Sequence, residues 1–216
     1  MHINHHKNMK IIRSLLIAML LQVTAAYAQD LEFLSPDEIV KQTIAEVLTS
    51  FKEDKEIIHD HVKMEHLVAT TVLPRFDFVY ITQLTIDDKN WTAASPQDQS
   101  ALVDEYRTFL AHMFSRSLSQ YDNEEVTYAP LVTPSGEDRV VVKSKLASPG
   151  DDPDEMDFKL EKTANGWMVY DIELGGVDLI KTYKSNFKST LEHGGVANLI
   201  SELHKKNEGV KATNKE

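Results

Sequence analysis

The apolar residues of this chain switch their spacing twice, and that switching limits the folds open to it. Up to Asp122-Asn123 they recur every three or four residues. From Val126 to Leu174 they alternate, and from Leu179 onward the wider spacing returns. A period of 3.6 puts an apolar stripe on a helix, and a period of two puts an apolar face on a strand. Helices, then strands, then helices is the order of an α+β domain. A doubly wound parallel sheet needs the two in alternation.

The helix starts are legible in detail. Ser35-Pro36-Asp37-Glu38 offers a cap at Ser35, a proline suited to the first helical position, and a glutamate three residues on to close a capping box. Ile39, Val40, Thr43, Ile44, Val47, Leu48 and Phe51 then predict a helix to about Phe51. From Asp60 to Ile86 the apolar positions Val62, Met64, Leu67, Val68, Val72 and Leu73 are cut by Pro74. A short helix is expected before it and another after it, over Phe76 to Leu84. Ser95-Pro96-Gln97-Asp98 repeats the start signal. Leu102, Tyr106, Phe109, Leu110, Met113, Phe114 and Ser117 follow, predicting the longest helix, about Pro96 to Gln120.

Four antiparallel strands are expected next, each with one apolar face. They carry Val126 and Tyr128; Val140, Val142 and Ser144; Met156, Phe158 and Leu160; and Met168, Tyr170, Ile172 and Leu174. In this reading Val169, Asp171 and Glu173 face away. Parity constrains the last hairpin. A two-residue Asn165-Gly166 turn would set Leu160 against Asp171 and mix the faces. A three-residue loop, Ala164-Asn165-Gly166, sets Leu160 against Tyr170 and Phe158 against Ile172, with a bulge at Gly166. Gly175-Gly176 ends the sheet. Leu179, Ile180, Tyr183, Phe187 and Leu191 mark a helix, Gly194-Gly195 breaks it, and Val196 to His204 gives a short last one. The polar end, residues 207–216, reads as a disordered tail.

The first 28 residues read as a secretory signal peptide. Lys7, Lys10 and Arg13 precede an apolar run from Leu15 to Val23, and Ala26-Tyr27-Ala28 supplies a cleavage site after Ala28. That run is too short for a stable membrane span. Residues 29–206 then form a single domain in the periplasm or outside the cell. Removing the lead takes away three basic residues and no acidic one, so the formal charge moves from −11 to −14. Such a polyanion is repelled by nucleic acid. There is no cysteine, which excludes disulfides, a thiol nucleophile and thiolate metal sites.

Little in the sequence points to catalysis. His59, Asp60, His61, Glu65 and His66 lie close together, and His61 and Glu65 share a helix face, but the pattern reads as a solvated helix and no metal is expected. Asp151, Asp152, Asp154 and Glu155 read as a hydrophilic hairpin loop without the glycine and glutamate of a calcium loop. No HExxH, GxSxG or phosphate-loop pattern is present. The expected inner face of the sheet carries no group that titrates near neutrality, so no catalytic residue and no cofactor are assigned. What the face offers is bulk: large, flexible and aromatic side chains that, with the helices, suit an apolar ligand. An enzyme of NTF2-like architecture acting on a small apolar substrate stays open, as does a secreted chaperone.

Several stretches in order resemble the MlaC family. They are Val72-Leu73-Pro74-Arg75-Phe76-Asp77-Phe78, Trp91 to Gln99 and Phe109 to Tyr121. The two most specific are Gly166-Trp167-Met168-Val169-Tyr170-Asp171-Ile172 and Gly176 to Phe187, with its G-V-x-L-I-x-x-Y-x-x-x-F pattern. Asp87-Asp88 stands where the family usually has glycine, and Asp178 and Lys184 stand where serine and arginine are common. The resemblance covers about residues 36 to 205. It implies an NTF2-like four-stranded antiparallel sheet against helices that enclose an apolar cavity. It implies a periplasmic carrier of phospholipid that maintains outer-membrane lipid asymmetry. Its partners would be an inner-membrane ABC transporter's substrate-binding component and an outer-membrane lipoprotein complex. No catalysis is implied. Phe76, Phe78, Phe109, Met113, Val142, Phe158, Tyr170 and Ile172 are the expected lipid-binding residues.

Overall fold

The chain is described from a computed structural model over residues 34–131 and 137–213. The expected signal peptide lies outside the described residues. Helix α1 (Pro36–Glu53) starts as its sequence requires: the Glu38 carboxylate accepts from the Ser35 backbone N–H at 2.8 Å and from its hydroxyl at 2.6 Å. A single 3-10 turn (Lys55–Ile58) leads to α2 (His61–Leu67), which loosens into a π turn (Val68–Val72) and then a 3-10 turn (Leu73–Arg75) holding Pro74. A proline cannot donate to the preceding turn, so the helix unwinds there.

The next helix starts later than its apolar pattern suggests. Phe76 is extended and bridges Val169 in parallel, and the Asp77 N–H donates to the Val169 carbonyl at 3.0 Å. Asp77 then caps α3 (Phe78–Ala93) by accepting from the Tyr80 N–H at 2.9 Å. Helix α3 breaks at Asp87, where φ is 68°, so it runs past the expected end at Leu84 only by changing direction. Asp87 is one of the two residues standing where the family usually has glycine. Helix α4 (Pro96–Leu118) is the longest unbroken one, capped by Ser95, which accepts from the Asp98 N–H at 3.1 Å.

Among the described residues the sheet has five strands in sequential order: β1 (Glu125–Tyr128), β2 (Arg139–Ala147), β3 (Asp154–Thr163), β4 (Gly166–Leu174) and β5 (Val177–Asp178). All neighbours are antiparallel. The fifth strand corrects the reading that Gly175-Gly176 ends the sheet. Both glycines have positive φ, 55° and 79°, the combination a two-residue hairpin turn demands. The chain turns back, and Leu174 pairs with Val177.

The β3–β4 hairpin is also corrected. Thr163 pairs with Gly166 across the two residues Ala164 and Asn165, and the bulge expected at Gly166 lies further along. The parity conflict is real, but it is absorbed inside β4. Phe158 pairs with Ile172 and Lys159 with Asp171, then the register shifts and Leu160 pairs with Val169. Tyr170 is the extra residue, so Leu160 does not oppose it. Val169, expected to face away, is therefore buried beside Leu160.

The last helix, α5 (Leu179–Thr213), breaks at Gly195, where φ is 63° and ψ is −165°, into two arms. The second arm runs past Asn207, where composition suggests a disordered tail. Asn207 is 2% exposed, and its amide donates to the Glu105 carbonyl and carboxylate at 3.0 and 2.7 Å. Residues 214–216 lie outside the described residues. One continuous core joins α1, α3, α4 and both arms of α5 to the covered sheet face. Among the described residues, no helix is long and apolar enough to cross a membrane.

Candidate functional site

The covered sheet face carries a row of three side chains across three strands. Val142 of β2 pairs with Phe158 of β3, which pairs with Ile172 of β4. Val142 is 1% exposed and Phe158 9%, while Ile172 is half-buried. Side-chain alternation along β2 puts Val140, Val142 and Ser144 inward and leaves Arg139, Val141 and Lys143 in solvent.

The other expected site residues fall into three groups. Phe76 and Phe78 stack with ring centres 6.0 Å apart, and Phe76 meets Phe114 of α4 at 5.3 Å. Phe109 and Met113 lie on α4 beside Tyr183, whose hydroxyl donates to the Met113 sulfur at 3.0 Å. Tyr170, displaced by the bulge, packs against Tyr80 at 5.5 Å and under the Arg139 guanidinium at 5.9 Å. Arg139 pairs with Glu161, whose parity in β3 is opposite that of Leu160. All eight expected residues touch the one core, but Tyr170 keeps separate company.

An open hollow exists between α4 and the two arms of α5. Its volume is about 150 Å³. Phe109, Tyr183, Phe187, Leu199 and Leu203 form its apolar wall, with Asn186, Glu202 and Lys206 around it. Tyr106 meets Tyr183 and Phe187 edge to face, and Phe109 meets Tyr183 the same way, the arrangement their quadrupoles favour, while Tyr106 and Phe109 stack. Burial pushes the Tyr106 hydroxyl up from its ordinary pKa, and its nearest polar partner is Thr85 at 3.5 Å. Of the expected residues, Phe109 alone belongs to this wall. Tyr183, Phe187, Leu199 and Leu203 were legible as helix positions. Nothing in their spacing says that a glycine break folds the second arm back over the first.

Of two charged groupings, one was not legible, and of the other only the shared face of His61 and Glu65 was. Asp171, expected to face away from the core, is 3% exposed. Its oxygens take the Lys159 ammonium at 2.8 Å and the Ile180 N–H at 3.2 Å, and Lys159 also reaches Asp178 at 2.5 Å. Asp171 is thus a buried carboxylate spent on an ion pair that anchors the start of α5. A Glu65 carboxylate oxygen lies 3.0 Å from His61 and 2.9 Å from the His112 ring of α4, though the latter approach lacks hydrogen-bond geometry. Among the described residues, no group of three or more histidine and carboxylate side chains is placed to hold a metal ion.

Comparison with known proteins gives a consistent picture. The family model described as MlaC protein matches residues 41–205. A curated relative, the toluene tolerance protein ttg2D of Pseudomonas putida, is 20% identical over 162 residues, 74% of this chain and 75% of the relative. A solved structure of a phospholipid-binding protein from Ralstonia solanacearum, in complex with a phospholipid, is 30% identical. It covers 85% of this chain and 100% of the solved one, with a TM-score of 0.74.

Proposed function

The chain belongs to the MlaC family, and from that membership we propose that it is a periplasmic carrier of phospholipid without enzymatic activity. One observation supports this reading above the others. The fold that covers the Val142–Phe158–Ile172 row with helices is shared with a phospholipid-binding protein solved in complex with a phospholipid. In the proposal Phe76, Phe78, Phe109, Met113, Val142, Phe158 and Ile172 contact acyl chains. Tyr170, at the rim with Arg139, contacts the part of the ligand nearest the headgroup.

The energetics favour a carrier that works by contact. Two chains of about 15 methylenes lose roughly 24 kcal/mol of aqueous exposure when buried, at ~0.8 kcal/mol per CH₂. Release into water is then far too slow, whereas passage between two apolar sites is near neutral. Hand-off therefore takes place on docked partners: the substrate-binding component of an inner-membrane ABC transporter and an outer-membrane lipoprotein complex. The hollow of about 150 Å³ is small beside the ~300–1,000 Å³ of ordinary ligand sites.

Native mass spectrometry of protein purified from periplasm without detergent tests the reading. The expected result is a stoichiometric adduct of phospholipid mass, lost in Ile172→Glu, whose half-buried site lets the variant fold. Val142→Glu probes the same row at its most buried point. A folded Ile172→Glu protein with the wild-type lipid content removes the row from the binding face. A wild-type protein that neither retains lipid nor takes it from vesicles removes the carrier reading.

A further inference from the structure

The covered face of the sheet continues past the Val142–Phe158–Ile172 row. Two residues further along each strand, Ser144 of β2 pairs with Met156 of β3, Met156 with Leu174 of β4, and Leu174 with Val177 of β5. Alternation keeps these side chains on the same face as the first row. Their cover thins across the strands: Ser144 is 4% exposed, Met156 half-buried, Leu174 42% exposed and Val177 62%. Of the large apolar side chains exposed among the described residues, Leu174 and Val177 are the two that pair with each other. They form an apolar lip where the helical cover gives out, on the side of the first row away from Tyr170.

Resting on the carrier reading, we propose that this lip is a subsite for the ends of long acyl chains, and lets the protein accept chains longer than its covered row. In that reading Tyr170 lies nearest the headgroup, so the chains run from it toward Leu174. The intervening stretch of β4 spans about 14 Å at ~3.4 Å per residue. With bonds of ~1.5 Å at tetrahedral angles an extended chain advances roughly 1.3 Å per carbon, so about 11 carbons fill that distance. A chain of about 15 methylenes overshoots it, and its last carbons lie over Leu174 and Val177, where apolar contact replaces water. Without the lip the same carbons end in water, and the site favours shorter chains.

The full-length processed protein is incubated with vesicles of equal parts dilauroyl and dipalmitoleoyl phosphatidylcholine, which differ in chain length and share a headgroup. After separation, the bound lipids are weighed by native mass spectrometry. The wild type is expected to carry the two near the vesicle ratio. Leu174→Ser combined with Val177→Thr lowers the share of the longer lipid about 5-fold, little more than one methylene left in water would do. Val177→Thr alone keeps a branched side chain on its strand and shifts the ratio the same way by about 2-fold. Val62→Ser, at a still more exposed apolar site on α2, leaves the ratio at the wild-type value. A wild type that already excludes the longer lipid as strongly as the double variant overturns the chain-end assignment. So does a ratio unchanged in both lip variants, or one that Val62→Ser shifts as far. A wild-type protein that carries neither lipid overturns the carrier reading beneath it, a failure of a different kind.

Discussion

Lys159 holds carboxylates from two strands at once: Asp171 at 2.8 Å, Asp178 at 2.5 Å and Glu173 at 3.6 Å. Burial works to lower the lysine's pKa, but its hydrogen bonds to Asp171 and Asp178 reverse that and raise it above the ordinary value. Burial pushes Asp171 up, against the pull of Lys159. Burial also pushes upward on Asp178, but there the Lys159 hydrogen bond and the Lys181 backbone N–H prevail, and it lies below the ordinary carboxylate value. The signs follow. A lowered carboxylate stabilises the fold above its unfolded pKa near ~4 and loses that contribution as pH falls through the folded value. A raised lysine stabilises below its unfolded pKa near ~10.4 and loses that contribution as pH rises through the folded one. Neutral pH lies inside both windows. Lys159→Met leaves Asp171 buried and unpaired, and is expected to cost roughly 3 kcal/mol at pH 7. Its Asp171 then sits further above its unfolded pKa, so its penalty grows as pH rises and shrinks toward pH 4. Urea unfolding of both proteins at the two pH values checks this. An equal deficit at both would assign the loss to packing of the lysine stem.

Gly195 sets the angle between the arms of α5 and thereby makes the wall of the hollow. Its φ of 63° with ψ of −165° belongs to a region open essentially to glycine, and a Cβ there would meet no neighbouring atom within 4 Å. The whole cost of Gly195→Ala is therefore backbone strain, about 2 kcal/mol. The expected outcome is a lower midpoint in urea, together with faster hydrogen exchange in the second arm. A variant as stable as the wild type would show that the arms tolerate another angle. The break itself was legible, because two adjacent glycines interrupt an apolar period. So were the caps at Ser35 and Ser95, since each needs only a few neighbouring residues. The bulge was half legible: parity demanded one extra residue in the β3–β4 hairpin, but local turn chemistry placed it at Gly166. The structure puts it at Tyr170, next to the point where Asp77 donates to Val169 from outside the hairpin. That contact joins residues almost a hundred positions apart, and no local pattern carries it. The same holds for Asp171. Alternation sends it away from the core, and only the return of the chain through Asp178 and Ile180 buries it. At the site, the row of Val142, Phe158 and Ile172 could be read from period two, whereas the hollow depends on how two arms of one helix close on α4.

Charge acts on the molecule as a whole. The chain carries 34 acidic and 23 basic residues, and loss of the first 28 would raise the imbalance further. A carrier with this balance is held off anionic bilayers at distances set by screening, about 30 Å at 0.01 M salt and about 8 Å at 0.15 M. Apolar contact with a lipid surface requires it to cross that barrier before any acyl chain can move. Raising the salt should therefore speed lipid uptake from phosphatidylglycerol vesicles several-fold, while uptake from phosphatidylcholine vesicles changes little. The opposite dependence is expected on a partner with a basic docking face, where the same charge steers encounter and salt removes the steering. Stopped-flow dequenching of a labelled lipid reports the vesicle rates directly, with the two vesicle types run at matched chain composition. Uptake from anionic vesicles that slows as salt rises would mean that a local basic surface, the lysines at 181, 184 and 188 on the first arm of α5 being the nearest candidates, governs approach in place of net charge.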